Sequence, residues 1–146
     1  MKKRFAYLVG VGLGVAVPLS SCQQDDDSAG ALLNRRWRLT EVDGTDLRVS
    51  SYSLDYDSYL QFAGAGSELQ GQASCHRLSG SFIVSDKQQL TITRLSPTRS
   101  SCAVQIFSGR YLTALPQITR YEIAGRTLRL YDASAPKPRL VFEAAP

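Results

Sequence analysis

The residues best suited to nucleophilic chemistry are Cys75 and His76, which are adjacent in the chain. His76 is the only histidine, so any Ser-His-Asp or Cys-His site must use it. Adjacent residues on an extended strand point to opposite faces, so these two side chains meet only where the chain bends. We therefore interpret His76 as an exposed loop residue beside a structural cysteine and predict no catalytic residues; an enzyme that works through His76 is the alternative.

Metal chemistry has little support, because a structural zinc site needs about four convergent ligands and one histidine with two paired cysteines cannot supply them. Asp55 and Asp57 have the spacing of a calcium loop, but the glycine and the distal glutamate of such a loop are missing. We interpret both as loop residues and predict neither a metal nor a cofactor. The tyrosines around them, Tyr52, Tyr56 and Tyr59, form a contact surface or pack against the fold.

A third kind of chemistry, lipidation, is indicated at Cys22. Lys2, Lys3 and Arg4 precede an uncharged apolar run over 5–18, and Leu19-Ser20-Ser21-Cys22 follows. The run is shorter than the ~18 residues of a membrane-spanning helix, which is typical of a cleaved secretory signal. The last four residues resemble the lipobox of bacterial lipoproteins. We predict a signal peptide over 1–21 and lipid on Cys22; the alternative is an ordinary signal with an incidental cysteine.

The segment 22–33 is predicted to be a disordered acidic tether. Three aspartates follow Gln24, and no large apolar residue lies between Gln23 and Gly30. An acidic run directly after a lipidated cysteine resembles a signal that sends lipoproteins to the outer face of the outer membrane, and a plain solvated tether is the alternative. The expected location is the cell envelope, with the chain anchored by lipid in the outer membrane and exposed at the surface.

Two cysteines remain after Cys22, namely Cys75 and Cys102. An even pair in an oxidising compartment predicts a disulfide between them. The alternative is two buried free thiols, because cysteine is also a common small core residue.

The charge of the chain is mildly basic, with 17 Lys and Arg against 13 Asp and Glu. Arginine dominates the cations after the signal and includes the cluster Arg35, Arg36 and Arg38. We interpret these arginines as polar faces of strands. The alternative is contact with lipid headgroups or polysaccharide phosphates, because the planar guanidinium of arginine binds phosphate through paired hydrogen bonds. No basic run with interleaved aromatics indicates nucleic acid. The expected partners are the membrane and an unknown small molecule or envelope protein.

Short alternating apolar segments separated by turn residues predict seven or eight antiparallel strands. One segment, about 103–115, has helical spacing instead and predicts one amphipathic helix with Ile106 and Phe107 on its buried face. Such a meander hides its edges most simply by closing into a small barrel. The predicted fold is therefore mainly β, a small antiparallel β-barrel with one α-helix. The predicted strands cover 37–42, 59–62, 68–73, 80–84, 89–93, 121–123, 127–131 and 139–142.

At four places the chain resembles the META domain family, also called the HslJ-like heat-shock lipoproteins. The motifs are W-x-L on 37–39, G-x-x-G-C-N-x-x-x-G on 71–80, T-R-x-x-C on 98–102 and aromatic-x-I-x-G-x-x-L-x-L on 121–130. Two residues depart from the second motif, Ser74 in place of glycine and His76 in place of asparagine. The resemblance covers the predicted domain, 34–146, almost to its end.

This resemblance implies a lipocalin-like β-barrel of about 7–8 strands with one helix and no established catalytic activity. Its members are envelope proteins associated with heat shock, drug tolerance and motility. Our leading hypothesis is a non-enzymatic envelope lipoprotein that binds or buffers something during stress. The alternative is a lipoprotein inhibitor of a secreted hydrolase such as a lysozyme or protease. The sequence does not identify ligand-binding residues.

The predicted disulfide can be tested by reduction. A bond between Cys75 and Cys102 closes a loop of about 28 residues, and the chain-entropy estimate for that length is ~3 to 4 kcal/mol of stabilisation. Reduction should therefore lower the melting temperature substantially, as measured by circular dichroism. Two free thiols in the mass spectrum of the oxidised protein would contradict the prediction.

Overall fold

The computed structural model describes residues 25–49, 58–64, 66–98, 106–134 and 136–146. Within these ranges the chain forms nine strands, two α-helices and one 3-10 turn. The helices are α1 (Asp25–Leu32) and α2 (Ile106–Ala114), and the 3-10 turn is Leu115–Gln117. The strands are β1 (Arg36–Val42), β2 (Thr45–Asp46), β3 (Tyr59–Ala63), β4 (Glu68–Ala73), β5 (His76–Ser85), β6 (Gln89–Pro97), β7 (Ile118–Ala124), β8 (Thr127–Asp132) and β9 (Leu140–Ala144).

Eight of these strands form a closed antiparallel barrel. Each strand from β3 to β9 pairs with the next one along the chain, and β1 pairs with both β3 and β9. The closing register places Trp37 opposite Ala144 and Leu39 opposite Phe142. The two-residue strand β2 lies beside the end of β1 and is not part of the ring. The predicted antiparallel barrel is confirmed, and each of the eight predicted strands overlaps one barrel strand.

The interior of the barrel is filled by large side chains. Alternation along each strand turns one set of residues inward, as in β3, where Leu60 and Phe62 are buried between less buried neighbours. Phe62 and Phe82 meet edge to face with ring centroids 5.0 Å apart. The interior of an eight-stranded barrel is wide enough either to be filled by its own side chains or to hold one small ligand. The largest fully buried residues are Trp37, Tyr111, Tyr121, Phe62 and Phe142.

One end of the barrel is closed by α1, which corrects the prediction of a disordered tether over 22–33. Leu32, the last residue of α1, is completely buried in the core. The indole Nε1 of Trp37 donates a hydrogen bond to the carbonyl of Leu32 at 3.0 Å, and Leu33 forms a β-bridge with Phe62. The prediction is wrong for residues 25–33 because Leu32 and Leu33 supply the apolar anchor that the preceding polar run lacks. The folded domain therefore begins before residue 34.

The other helix, α2, confirms the predicted helix as far as the described residues extend, since 103–105 lie outside them. Phe107, Ser108 and Tyr111 are buried against the barrel. Ile106, in contrast, is 74% exposed, so its predicted place on the buried face is wrong. The residues of α2 that contact the barrel are 107, 108 and 111. The buried face therefore starts at 107, one residue later than predicted. Neither helix in the described ranges is long and apolar enough to cross a membrane.

The two neighbouring residues at the start of α2 give a matched test of this register. Phe107 is 8% exposed, and its replacement by alanine should cost ~3 to 5 kcal/mol because a large buried side chain is lost. Replacement of Ile106 by alanine should change the free energy of unfolding by no more than ~0.5 kcal/mol. Urea unfolding of both variants measures the difference, and equal losses would contradict the observed orientation of α2.

Candidate functional site

The cysteine turn, which consists of Ser74 and Cys75, joins β4 to β5. Ala73 pairs directly with His76, so only two residues form the connection. Ser74 has a φ of 54°, in the left-handed region that two-residue hairpins favour and where the resembling family has glycine. The backbone N–H of Ser74 donates to Ser58 Oγ at 2.9 Å, and Ser108 Oγ donates to Ser74 Oγ at 3.1 Å. These bonds hold a non-glycine residue in a conformation that glycine adopts more easily.

His76 is buried rather than exposed, which corrects its interpretation as a loop residue. Only 7% of its surface is accessible, because it is the first residue of β5 and faces inward on the same side as Leu78. Its Nδ1 lies 3.0 Å from the carbonyl oxygen of Thr98 and is therefore the protonated, donating nitrogen. The backbone N–H of Arg77 donates to Thr98 Oγ1 at 3.0 Å. His76 thus helps to attach the segment after β6 to the start of β5.

Cys75 is exposed on the turn and is disulfide-bonded. Its predicted partner Cys102 lies outside the described residues, so the pairing of these two cysteines stays a prediction. Cys22 and the loop residues Asp55 and Asp57 also lie outside them, as do Tyr52 and Tyr56. Within the described ranges, no group of three or more His, Cys, Asp or Glu side chains is arranged to hold a metal ion.

Helix α2 is fixed over this end of the barrel by Tyr111. Its hydroxyl donates to the carbonyl of Tyr59 at 3.1 Å, and its ring packs against Phe142 with centroids 6.0 Å apart. Burial raises the pKa of Tyr111 well above its ordinary value. The phenol therefore stays neutral and acts as a donor that ties α2 to the start of β3.

Arg139 connects three elements near the same end of the barrel. Its Nε lies 2.6 Å from Asp43 in the turn after β1, and a terminal nitrogen lies 2.7 Å from Asp132 at the end of β8. The hydrogen bond from Arg139, followed by one from the backbone of Ser134, lowers the pKa of Asp132. Both carboxylates thus stabilise the charged guanidinium, and the pKa of Arg139 is raised by Asp132 and then by Asp43.

A second network lies on the outer face of β7 and β8. The hydroxyl of Tyr131 donates to Glu122 at 2.7 Å, and Arg120 donates to the other oxygen of the same carboxylate at 3.1 Å. The guanidinium of Arg120 also stacks over the ring of Tyr131 at 3.8 Å. The bond from Tyr131 is the main cause that lowers the pKa of Glu122. These three side chains therefore bind one another through hydrogen bonds and stacking.

The outer face of β3 to β6 carries a different arrangement, a shallow polar groove. It consists of two adjoining depressions of about 360 and 330 Å³ that share Gln70 and Ser79. We call it the outer groove. Its described lining is Tyr59, Glu68, Leu69, Gln70, Gly71, Arg77, Leu78, Ser79, Gly80, Ser81, Arg94 and Thr98.

The floor of the outer groove is shaped by two glycines and a β-bulge. A Cβ atom on Gly71 would lie 2.5 Å from the carbonyl oxygen of Tyr59, so no larger residue fits there without a backbone shift. Between Ser79 and Ser81 the pairing of β5 with β6 shifts register. Arg94, on the bulged strand, has a φ of 54°. Sequence reasoning missed this groove, and the only signal for it was the run of outward polar positions on β4 and β5.

Comparison with known proteins identifies one family. A family model described as the META domain matches residues 30–145. The fold is similar to an NMR structure of a protein from Burkholderia xenovorans, with a TM-score of 0.60, 23% identity, and coverage of 80% of this chain and 85% of that one. It is also similar to the crystal structure of a DUF4847 family protein from Bacteroides vulgatus, with a TM-score of 0.56, 11% identity, and coverage of 80% and 94%. No curated protein matches the sequence.

The ion pairs of Arg139 with Asp43 and Asp132 predict that the folded protein becomes less stable in acid. Because the pKa of Asp132 is lowered in the folded state, the unfolded chain binds a proton first as the pH falls. The stabilisation is therefore complete above the usual carboxyl range, about pH 4, and is lost as the pH falls through the lowered pKa. Asp132→Asn should lower the melting temperature at neutral pH and flatten its dependence on pH.

Asp86→Asn is the matched control, since Asp86 is exposed in the β5–β6 turn and makes no ion pair with any described residue. Melting temperatures measured from about pH 7 to about pH 3 by circular dichroism compare the variants. If Asp132→Asn and the wild-type chain lose stability in parallel over this range, Asp132 does not contribute to the acid sensitivity.

Proposed function

The chain belongs to the META domain family, and on that premise we propose that it is a non-enzymatic lipoprotein of the bacterial envelope that binds its ligand on the outer surface of the barrel. The observation that carries the proposal is the filled interior. An eight-stranded barrel either is filled by its own side chains or holds one small ligand, and in this barrel Trp37, Phe62 and Phe142 are completely buried inside. Groups that can recognise a ligand therefore lie on the outer faces of the strands and at the ends of the barrel.

The state of the polar residues supports a binding rather than a catalytic role. His76 is buried at the junction of two strands, where its Nδ1 donates a hydrogen bond to the carbonyl of Thr98. Asp132 and Glu122 are held by Arg139 and by Tyr131, which keep their carboxylates ionised. A general base needs a pKa near the working pH, whereas both of these pKa values are shifted away from it.

The N-terminal sequence supports the lipid anchor. The lipobox places the lipid on Cys22, and two or more acyl chains hold a protein firmly to a bilayer. Only three peptide bonds along the chain separate Cys22 from Asp25, the first residue of α1, a span of about 11 Å at most. The barrel end closed by α1 is thus the end that faces the membrane in this proposal.

Lipidation of Cys22 is tested by Cys22→Ala in cells labelled with a radioactive fatty acid. The variant should lose the label and appear in the soluble fraction, because the lipid alone holds the chain to the membrane. Its circular dichroism spectrum should be unchanged, since residue 22 lies outside the matched domain.

Gln23→Ala is the control and should keep both the label and the membrane location, because position 23 follows the modified cysteine. Retention of the Cys22→Ala chain in membranes after a high-salt wash would show that something other than lipid anchors it.

A further inference from the structure

We propose that the outer groove binds a segment of acidic polysaccharide, a glycan that carries carboxylate or phosphate groups. The inference deepens the proposed function and rests on it for the location, because such glycans are ligands that an envelope protein would meet. It is carried by three features of the groove, namely its cations, its neutral hydrogen-bonding groups and its shape.

The groove contains cations that form no ion pair with the described acidic residues. Arg77 and Arg94 line it, and the guanidinium of Arg36 stacks at 4.3 Å over the ring of Tyr59 on its edge. None of these three arginines makes an ion pair with a residue that the structure describes, whereas Arg120 and Arg139 elsewhere on the barrel do. A planar guanidinium binds carboxylate and phosphate groups through two parallel hydrogen bonds.

Neutral donors and acceptors lie between these cations. The strand register places Gln70 beside Ser79, and both line the groove. Amides and hydroxyls at these positions suit the hydroxyl groups of sugars, which donate and accept in the same way. Glu68, at one end, is the single acid among the described residues of the lining. A ligand along the groove therefore meets positive charge and hydrogen-bonding groups over most of its length.

The shape of the groove is built into the backbone. Arg94 occupies the left-handed region at the β-bulge, a conformation that is unfavourable for a residue with a side chain. Such conformations persist where the surroundings enforce them and are common at binding sites. Opposite the bulge, a Cβ on Gly80 would lie 3.1 Å from the carbonyl of Thr93, a tight contact, so the close approach of β5 and β6 favours glycine. The bulge changes the direction of the strand at the position where Arg94 joins the lining.

The same features argue against a lipid surface as the ligand. The groove is concave and lies on the outer faces of β3 to β6, on the side of the barrel rather than at its end. Its two leucines, Leu69 and Leu78, are buried and offer no apolar surface to an acyl chain. An extended chain of polar rings fits this surface better than a flat layer of headgroups.

The test is calorimetric titration of the full chain in detergent with two probes, oligogalacturonate and phosphorylated dextran, and with uncharged dextran. At least one acidic probe should bind saturably and less tightly at higher salt, and dextran should not bind. Arg77→Gln should weaken binding about tenfold, because a charge-assisted hydrogen bond is lost. Arg77→Lys should weaken binding less, since lysine keeps the positive charge but cannot form the two parallel hydrogen bonds of a guanidinium.

Arg129→Gln is the matched control, because it removes the same charge from β8 on the opposite side of the barrel. If it weakens binding as much as Arg77→Gln, the attraction is to net charge and the groove is not the site. Binding of neither acidic probe, equal binding of dextran, or binding only to anionic phospholipid vesicles would also overturn the proposal. These outcomes are independent of fatty-acid labelling at Cys22, so a failure of the groove and a failure of the lipid anchor are distinguishable.

Discussion

Closure of the barrel depends on β1, which pairs with β3 along one edge and with β9 along the other. Because both edges are occupied, the barrel has no free edge at this point, and the inward face of every strand is determined. Trp37, the second residue of this strand, is completely buried. Its indole N–H requires a partner in the core, and the carbonyl of Leu32 supplies it. One side chain thus couples closure of the ring to the helix that covers its end.

A closed ring of eight strands also decides where a ligand can bind. Phe62, Tyr121 and Phe142 are buried in the interior, where some other eight-stranded barrels hold one small ligand. The remaining surfaces are the two ends, covered by α1 and α2, and the outer faces of the strands. On β7 and β8 the outer polar groups of Arg120, Glu122 and Tyr131 bind one another. On β3 to β6 the arginines face a groove instead.

The sequence predicted the barrel well because the inward-facing apolar residues of a half-buried strand recur at every second position. That period identified all eight barrel strands. It failed where a long-range contact decides the structure. Leu32 is buried because Trp37 and Phe62 come near it in space, and nothing in the local pattern shows this. Likewise the bulge at Arg94 depends on the pairing of β6 with β5, so the groove could not be derived from either strand alone.

The cysteine turn shows how a departure from a family motif is accommodated. Ser74 stands where the resembling family has glycine, and its left-handed conformation is supported by a bond from its backbone N–H to Ser58 and by a bond from Ser108 to its hydroxyl, of which glycine can make only the first. His76 stands in place of asparagine and uses its ring nitrogen to hold the segment after β6. Both substitutions keep the turn in place with different groups, which is expected if the turn has a structural role. The outer faces of the strands are the places where side chains can change without disturbing the packed core.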